Sequence, residues 1–474
     1  VLKYSIKTFG CQMNVSDSER IRTVFLENNI EESADEKNAD IFVVNTCAIR
    51  QASEDKARGF IVNARKNNKG AIIIFTGCVE ENVPAKELVK SFPEANIFLP
   101  ISEISQIPSY LNFTKPTDAY FVPKKNDAVD YFSLSPQPFT SFRAYIPIMT
   151  GCDKFCTYCV VPKTRGTEES RPAEDILKEI RDLISKGAKE INLVGQNVNS
   201  FGQKSGGRFL SSKQIKDMGF WPELPETHSV TKNIEQYEER NIPSFSRLVE
   251  YILHEIKDYF WLKFVSPHPQ DFSDELIEVT RNDKRVVRLF HIPLQSGSDK
   301  ILRLMNRPYN TQKFYDIIKK IRMGIPDIEF TTDMIAGFCD ESDQDFKETL
   351  EMVRNIGFSN SYTAKYSPRP GTTAISFEDN VEYSTKKARE KALMEVVESS
   401  TLQLSEQLLG SRQVVLIEKY QPEKKKFMGR LFNNKTIFLD EYDLKIGEFY
   451  ECEITSASTW SFKGRVKNEQ IFTT

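Results

Sequence analysis

Cys152, Cys156 and Cys159 stand at C-x3-C-x2-C spacing in the run Cys152-Asp153-Lys154-Phe155-Cys156-Thr157-Tyr158-Cys159. Three thiolates so spaced can hold three irons of a 4Fe–4S cube and leave the fourth iron without a protein ligand. An iron with an open position can bind a small molecule and pass it an electron, so the spacing points to catalysis rather than electron storage. A structural zinc site competes for any group of cysteines, but it takes four ligands, and no nearby Cys or His supplies the fourth. Cys11, Cys47 and Cys78 lie far apart in the chain, yet each follows a short strand-like run. Parallel strands sit about 4.8 Å apart, and ligands collect outside their carboxyl ends. These three cysteines are therefore expected at one sheet edge, as a second cluster site. Buried free thiols are the bland alternative, and that reading suits Cys339 and Cys452, which belong to no motif.

The elements that must position these groups are legible as three segments. Residues 1–125 show strands at 2–7, 40–44 and 71–75, with a helix over 53–66, which predicts a small open α/β domain. Ser16-Asp17-Ser18-Glu19 has the pattern of a capping box opening a helix. A proline-dotted stretch at 116–138 reads as a linker. Residues 140–380 repeat strand then helix six times, with strands at 144–149, 190–195, 261–266, 288–294, 329–337 and 361–366. Helices are expected over 172–186, 245–257 and 343–356. Six such units make a partial (βα)6 barrel, whose active site belongs at the carboxyl ends of its strands. The Cys152–Cys159 loop follows the first of those strands. A polar stretch at about 203–241 breaks the rhythm as an insertion. A polar helix over 384–409 leads to residues 411–474, where five short strands follow one another without helices and predict a small all-β barrel.

Composition sets the limits. A chain of 474 residues should hold about two to four domains. Hydrophobic residues make up 39% and charged residues 28%, as in globular proteins. No apolar run approaches a membrane span, and no secretory signal opens the chain, although Val1 in place of Met suggests an incomplete N-terminus. Eight cysteines, six of them in two groups of three, suit metal chemistry in a reducing compartment, which reads as cytoplasm. The net charge of −3 gives the whole chain no bias towards nucleic acid, so any basic surface must be local.

Polar or glycine-containing strand ends ring the expected mouth: Gly195-Gln196-Asn197, Gln295-Ser296-Gly297 and Asp333-Met334-Ile335-Ala336-Gly337-Phe338. His268 and His291 are candidates for a proton or substrate role, though hydrogen-bonded structural histidines are commoner. Lys163, Arg165 and Arg171 follow the cysteine loop and suit phosphate or carboxylate. In the last segment Lys and Arg number 11 against 9 Asp and Glu. Lys424, Lys425, Lys426 and Arg430 flank Phe427, while Lys463 and Arg465 follow Trp460 and Phe462. Cations interleaved with aromatics suit a single-stranded nucleic acid, whose phosphates need charge and whose bases can stack.

These strings resemble the radical S-adenosylmethionine methylthiotransferases, and within them the MiaB type that modifies tRNA. The resemblance rests on Gly10-Cys11-Gln12-Met13-Asn14, Asn45-Thr46-Cys47-Ala48-Ile49-Arg50, Thr76-Gly77-Cys78, Gly151 to Cys159, Pro162-Lys163-Thr164-Arg165-Gly166, Gly195-Gln196-Asn197-Val198-Asn199-Ser200 and Leu294-Gln295-Ser296-Gly297-Ser298. It covers nearly all of the chain except the insertion, and its C-terminal barrel is similar to the TRAM RNA-binding module. The resemblance implies two 4Fe–4S clusters, one on Cys152, Cys156 and Cys159 that binds S-adenosylmethionine, and an auxiliary one on Cys11, Cys47 and Cys78. It implies that Tyr158 lies against the adenine of S-adenosylmethionine. Gly195 and Gln196 would fix its amine, Gln295 and Ser296 its ribose, and Asp333, Ile335 and Gly337 its adenine side. The implied reaction converts N6-isopentenyladenosine at position 37 of tRNA to its 2-methylthio derivative, by hydrogen abstraction at C2 and methylthio transfer from the auxiliary cluster. Adenine C2–H has no acidity for a side-chain base to exploit, so a carbon radical supplies the driving force. The target base must leave the anticodon-loop stack to reach the mouth. A low-potential electron donor is implied, and a sulfur or cluster carrier is a further expected partner. Two alternatives remain open. One is the same chemistry on threonylcarbamoyladenosine tRNA or a ribosomal-protein aspartate, and the other is a non-catalytic, metal-dependent RNA-binding protein.

Overall fold

A computed structural model describes residues 1–35, 39–47, 51–78, 85–111, 114–115, 117–123, 128–203, 244–440 and 443–467. The expected insertion at 203–241 lies, but for residue 203, outside the described residues. Strands Lys3–Phe9, Ile41–Thr46 and Ile72–Gly77 pair in parallel at the centre of a six-stranded sheet. Alternate side chains of a strand face opposite ways, and here both faces are covered. Ile41, Val43 and Ile74 pack with Ile21 and Phe25 of the helix Gln12–Glu27. Phe42, Val44, Ile73 and Phe75 pack with Ile61 of the helix Gln51–Asn67. Burial on two sides is why these strands read as unbroken apolar runs. Phe9, Thr46 and Gly77 stand level in the register, so Cys11, Cys47 and Cys78 leave the sheet at one edge.

Two expectations for this segment are corrected. The first helix begins at Gln12, four residues before Ser16, because Asn14 Oδ1 accepts the Cys11 N–H at 3.2 Å and closes the end there. Ser16 and Glu19 lie inside the helix on a buried polar face. Ser16 Oγ donates to the Tyr145 carbonyl at 2.9 Å, and Glu19 Oε1 accepts the Phe139 N–H at 3.2 Å. Burial pushes the Glu19 carboxyl up to about 8. The stretch 116–138 is more than a linker: Tyr120–Phe121 forms the last strand of the sheet, and Ala128–Ser133 is a helix that carries the buried Tyr131.

All six barrel strands form. Arg143–Pro147, Glu190–Val194 and Trp261–Phe264 make one parallel set, and Leu289–His291, Glu329–Ala336 and Asn360–Lys365 make the other. A bridge between Leu262 and Val286 joins them. The helices Ala173–Ser185, Phe245–Glu255 and Asp343–Ile356 agree with expectation to within two residues. An unclosed barrel leaves an edge with unpaired backbone groups, which proteins normally cover. Here the Gln12–Glu27 helix lies along the first strand, and the Ser16 bond to Tyr145 takes up one edge carbonyl.

The helix Tyr383–Glu406 leads to a closed barrel of Arg412–Gln421, Lys426–Arg430, Thr436–Leu439, Ser461–Val466 and Phe449–Ala457, in that order around the ring. A buried charge network fixes it to the floor of the large barrel. Glu190 accepts from Arg143 at 2.7 Å and from Lys263 at 2.9 Å. Lys263 also donates to Asn434 at 2.8 Å, and Glu418 accepts from both Arg143 and Arg430. Burial alone would raise the Glu190 carboxyl, but Lys263 and Arg143 outweigh it and hold it at about 2. Its contribution is present above the ordinary carboxylate range and is lost as pH falls through about 2. Glu190→Ala leaves the buried Lys263 without a carboxylate, while Arg143 keeps Glu418, and we expect a loss of about 3–5 kcal/mol in denaturant unfolding. A loss below about 1 kcal/mol, the scale of an exposed pair, would show that the network is solvated.

Candidate active site

The cysteine loop is shaped by its backbone before any ligand is considered. Gly151 has φ +79°, and a Cβ there would lie 1.9 Å from the Thr167 carbonyl oxygen, so no other residue fits. Thr157 ties the loop to the end of the helix Asp299–Leu304, which follows the fourth barrel strand, its N–H donating to Met305 O at 3.0 Å and its hydroxyl to Leu304 O at 2.8 Å. Asn306 Nδ2 donates to Phe155 O at 2.9 Å. Cys152, Cys156 and Cys159 are all free thiols. Burial, then the neighbouring Cys159 and Cys156, push the Cys152 thiol well above its ordinary range. Burial and Cys156 take Cys159 to about 12. Thiols that oppose one another's ionisation in this way need a cationic centre to be held together as thiolates.

Cys11, Cys47 and Cys78 converge as expected from the strand ends. Gly77, at φ +110°, would place a Cβ 2.2 Å from Thr46 O, so the chain turns into Cys78 only with glycine there. Burial and Cys78 raise the Cys11 thiol. A hydrogen bond with Cys47, opposed by burial and aided by Arg165, brings Cys78 down to about 6. Cys78 in turn raises Cys159, so the two triads lie within electrostatic reach of each other. Between them sits a buried ion pair: Arg165 meets Asp17 at 2.6 Å, and the Tyr131 hydroxyl donates to Asp17 at 2.7 Å.

The strand ends ring the mouth, and their roles separate. Gln196 Oε1, Asn197 Oδ1 and His268 Nε2 are buried and have no hydrogen-bond partner. Burial, with Arg307 and Lys154 adding to it, pushes the His268 imidazole well below its ordinary range, so the ring is neutral. Tyr158 and Ile335 are half-buried beside Phe338 and line an apolar wall. Gln295 sits at φ 70°, its N–H on Asp333 O at 2.9 Å. His291 bonds Thr331 at 2.9 Å and Asp333 at 3.1 Å, a positioned imidazole inside the barrel. Other candidates are committed to packing. Ser296 is fully buried against Thr349 and Ser298. A Cβ on Gly195 would meet Met149 at 2.8 Å, and one on Gly337 would meet Lys386 at 2.3 Å. Among the described residues no three His, Cys, Asp or Glu side chains close on a single metal ion. A cube gives each thiolate its own iron, so thiols set apart suit it better than they suit one ion. Three thiols per site, with Arg307 donating to Cys156 Sγ at 3.3 Å and Arg165 beside Cys78, fit an anionic iron–sulfur centre.

Comparison with known proteins bears directly on this geometry. Residues 3–100 match the uncharacterized protein family UPF0004, residues 146–353 the radical SAM superfamily and residues 406–467 the TRAM domain. Proteins named tRNA-2-methylthio-N(6)-dimethylallyladenosine synthase from Fusobacterium nucleatum and Dictyoglomus thermophilum are each 34% identical, over 98% of this chain and 99% of theirs. One of that name from Geobacillus kaustophilus is 33% identical over 99% of this chain and 83% of its own. The chain belongs to this family. Membership makes it a radical S-adenosylmethionine enzyme, with the 4Fe–4S cluster and S-adenosylmethionine which that superfamily implies. The fold is also that of the radical S-adenosylmethionine methyltransferase TsrM from Kitasatospora setae, with a TM-score of 0.50 at 12% identity over 87% of this chain and 78% of that one. No described helix is long and apolar enough to cross a membrane.

Within this methylthiotransferase architecture, several expected RNA contacts are corrected. Arg165 is buried on Asp17, and Arg171 is buried on Glu179 at 2.7 Å. Arg430 is held by Glu418, and Phe427 and Phe462 lie in the core of the small barrel, closed to stacking. Lys163 is half-buried. Lys426 meets Asp440 at 3.0 Å. Lys424, Lys425, Lys463 and Arg465 remain exposed, and Trp460 is half exposed. Asp17, Tyr131 and Arg307 escaped the sequence reading. The available signal was a polar run, Asn14 to Arg20, in a helix that packs on both sides. Gly151→Ala forces the cysteine loop open. We expect a loss of about 1–3 kcal/mol in thermal unfolding, together with loss of iron from this site. Wild-type iron content would contradict it.

Proposed function

We propose that this chain converts N6-isopentenyladenosine at position 37 of tRNA to its 2-methylthio derivative. Cys152, Cys156 and Cys159 would hold the cluster that takes S-adenosylmethionine, and Cys11, Cys47 and Cys78 an auxiliary cluster. The observation that carries this reading is the buried Arg165–Asp17 ion pair at 2.6 Å, which sets the chain just beyond the Cys152–Cys159 loop on the helix that Cys11 caps. When bound, the clusters and S-adenosylmethionine supply the electron, the radical that takes hydrogen from C2, and the methylthio group.

The protein's part is to bind, orient and exclude water. Gln196 Oε1, buried without a partner, suits the cofactor's ammonium. Tyr158 and Ile335 offer an apolar wall to its adenine. Arg165 offsets negative charge at Cys78, and Asp17 keeps Arg165 in place. On the small barrel, Met428, Phe438 and Lys463 stand in one cross-strand row, with Lys424 Nζ 5.8 Å from the Phe438 ring. Cations beside a half-buried ring suit the phosphates and bases of an RNA loop. A low-potential electron donor, and a sulfur or cluster carrier, belong to this reading as partners, and the cytoplasm as its place.

Anaerobic incubation with S-adenosylmethionine, reductant and isopentenylated tRNA, followed by mass spectrometry of nucleosides, tests the reading. We expect Cys156→Ala to abolish S-adenosylmethionine cleavage, and Cys47→Ala to keep cleavage but lose the methylthio product. Equal product from a reconstituted Cys47→Ala protein removes the auxiliary site. The double variant Lys424→Glu, Lys463→Glu should weaken tRNA binding about tenfold and flatten its salt dependence by about one unit for each phosphate no longer bound. Cleavage without RNA should not change, and unaltered tRNA affinity would move the RNA surface elsewhere.

A further inference from the structure

Arg307 is a buried cation without a carboxylate. It is 4% exposed. Its Nε donates to the Tyr309 hydroxyl at 2.8 Å and one terminal nitrogen to Pro293 O at 3.1 Å, both neutral groups. The other terminal nitrogen donates to Cys156 Sγ at 3.3 Å. Among the described residues it forms no ion pair, unlike the buried guanidiniums of Arg20, Arg165 and Arg389, which meet Glu179, Asp17 and Glu341. A buried charge without a counter-charge is costly, and removing water from a guanidinium demands an anion in reach. The polar group left to supply that anion is the sulfur of Cys156.

The surroundings keep Arg307 aimed there. Its guanidinium lies 4.9 Å from the Tyr309 ring, and the Tyr309 hydroxyl donates to Pro293 O at 3.0 Å. His268 packs 5.8 Å from the same ring and is neutral, so no second cation competes there. Lys154, the next cation of the loop, is neutralised by Asp271 at 2.7 Å.

From this geometry we infer that Arg307 is a positioning residue that sets the reduction potential of the cluster on Cys156, by a charge-assisted hydrogen bond to the ligating sulfur. Hydrogen bonds and charge at ligating sulfurs are among the levers that set such potentials. A fixed positive charge favours the reduced, more negative state. Arg307 thus eases the entry of the electron that S-adenosylmethionine cleavage consumes. It does so without touching the cofactor. The inference rests on the proposed site, because it requires Cys156 to ligate iron.

The test is a redox titration of the reconstituted full-length enzyme, followed by electron paramagnetic resonance. The signal that changes when S-adenosylmethionine is added marks the cluster concerned. Arg307→Gln should disfavour reduction at least tenfold, which is about 59 mV more negative for one electron, with iron content and Cys47-dependent signals unchanged. Arg307→Lys, which restores charge but not the fork, should recover most of that shift. It also carries the test if Arg307→Gln fails to fold. A wild-type potential in a loaded Arg307→Gln enzyme overturns the inference and leaves the cluster assignment standing. So does an Arg307→Lys potential equal to that of Arg307→Gln, or an Arg307→Lys enzyme that will not fold either. Absence of any signal responsive to S-adenosylmethionine in the wild-type enzyme refutes the cluster assignment itself, and this inference falls with it.

Discussion

Asp17 and Arg165 come from different domains and meet where no water can reach either of them. Their side chains are 0% and 1% exposed. Asp17 rides on the helix that covers the N-terminal sheet, and Arg165 follows the short helix Val161–Thr164 just beyond the cysteine loop. A pair so placed returns its desolvation cost only if every remaining valence is met. Tyr131 serves the carboxylate and Cys78 lies beside the guanidinium, which leaves only Arg165 Nε without a partner. The docking of sheet on barrel and the approach of one cysteine triad to the other are therefore the same event. A second buried pair holds the same joint, with Arg20 donating to Glu179 at 2.8 and 3.0 Å and Arg171 closing on the other side of that carboxylate. With two such locks, the sheet and the barrel do not act as separable bodies.

Strand order and the cysteine edge were legible because both follow from short-range pattern. Runs such as Ile41 to Val44 have one stable use, a parallel strand buried on both faces, and the residue after each run is thereby placed. The six barrel strands were found for the same reason. Polar residues were harder to read. Ser16 and Glu19 satisfy the local signature of a helix cap, yet their partners are Tyr145 and Phe139, more than a hundred residues away. Arg165, Arg171 and Arg430 looked like free surface cations because their carboxylates come from other elements. Phe427 and Phe462 looked like a stacking platform because the sequence does not show which face of a short strand turns inward. Arg307 gave no signal at all, since its meaning depends on the one sulfur it reaches.

The small barrel shows how a modest charge excess can still yield a usable surface. Arg430 and Glu418 are spent on docking to the large barrel, as are Asn433 and Asn434, and Lys435 is buried on Ser405 of the connecting helix. Docking thus takes up two cations, Arg430 and Lys435, against one carboxylate, Glu418, and does not by itself enrich the surface in positive charge. Lys424, Lys425, Lys463 and Arg465 all stay in solvent. The usable surface comes from where these four stand, not from the net charge of the segment.

The two ends of the large barrel differ in how completely their polar groups are satisfied, and that difference identifies the working end without appeal to analogy. On the floor, Arg143, Lys263, Glu190 and Glu418 close almost completely on one another and on Asn434, although Glu329 keeps one oxygen unpaired. At the mouth, Gln196 and Asn197 each present a buried acceptor with no protein donor, His268, whose Nδ1 accepts the Gln270 N–H, presents a buried Nε2–H with no acceptor, and Arg307 presents a cation with no carboxylate. A folded protein tolerates a few unsatisfied groups, but each one costs about 1–3 kcal/mol. Several gathered at one place persist only if something outside the chain completes them. Two acceptors, one N–H donor and one unpaired cation ask for a ligand that carries donors, acceptors and negative charge, and a sulfide cluster together with an aminocarboxylate answers these demands. The floor makes no such demand, which is why it can be given over to holding the small barrel.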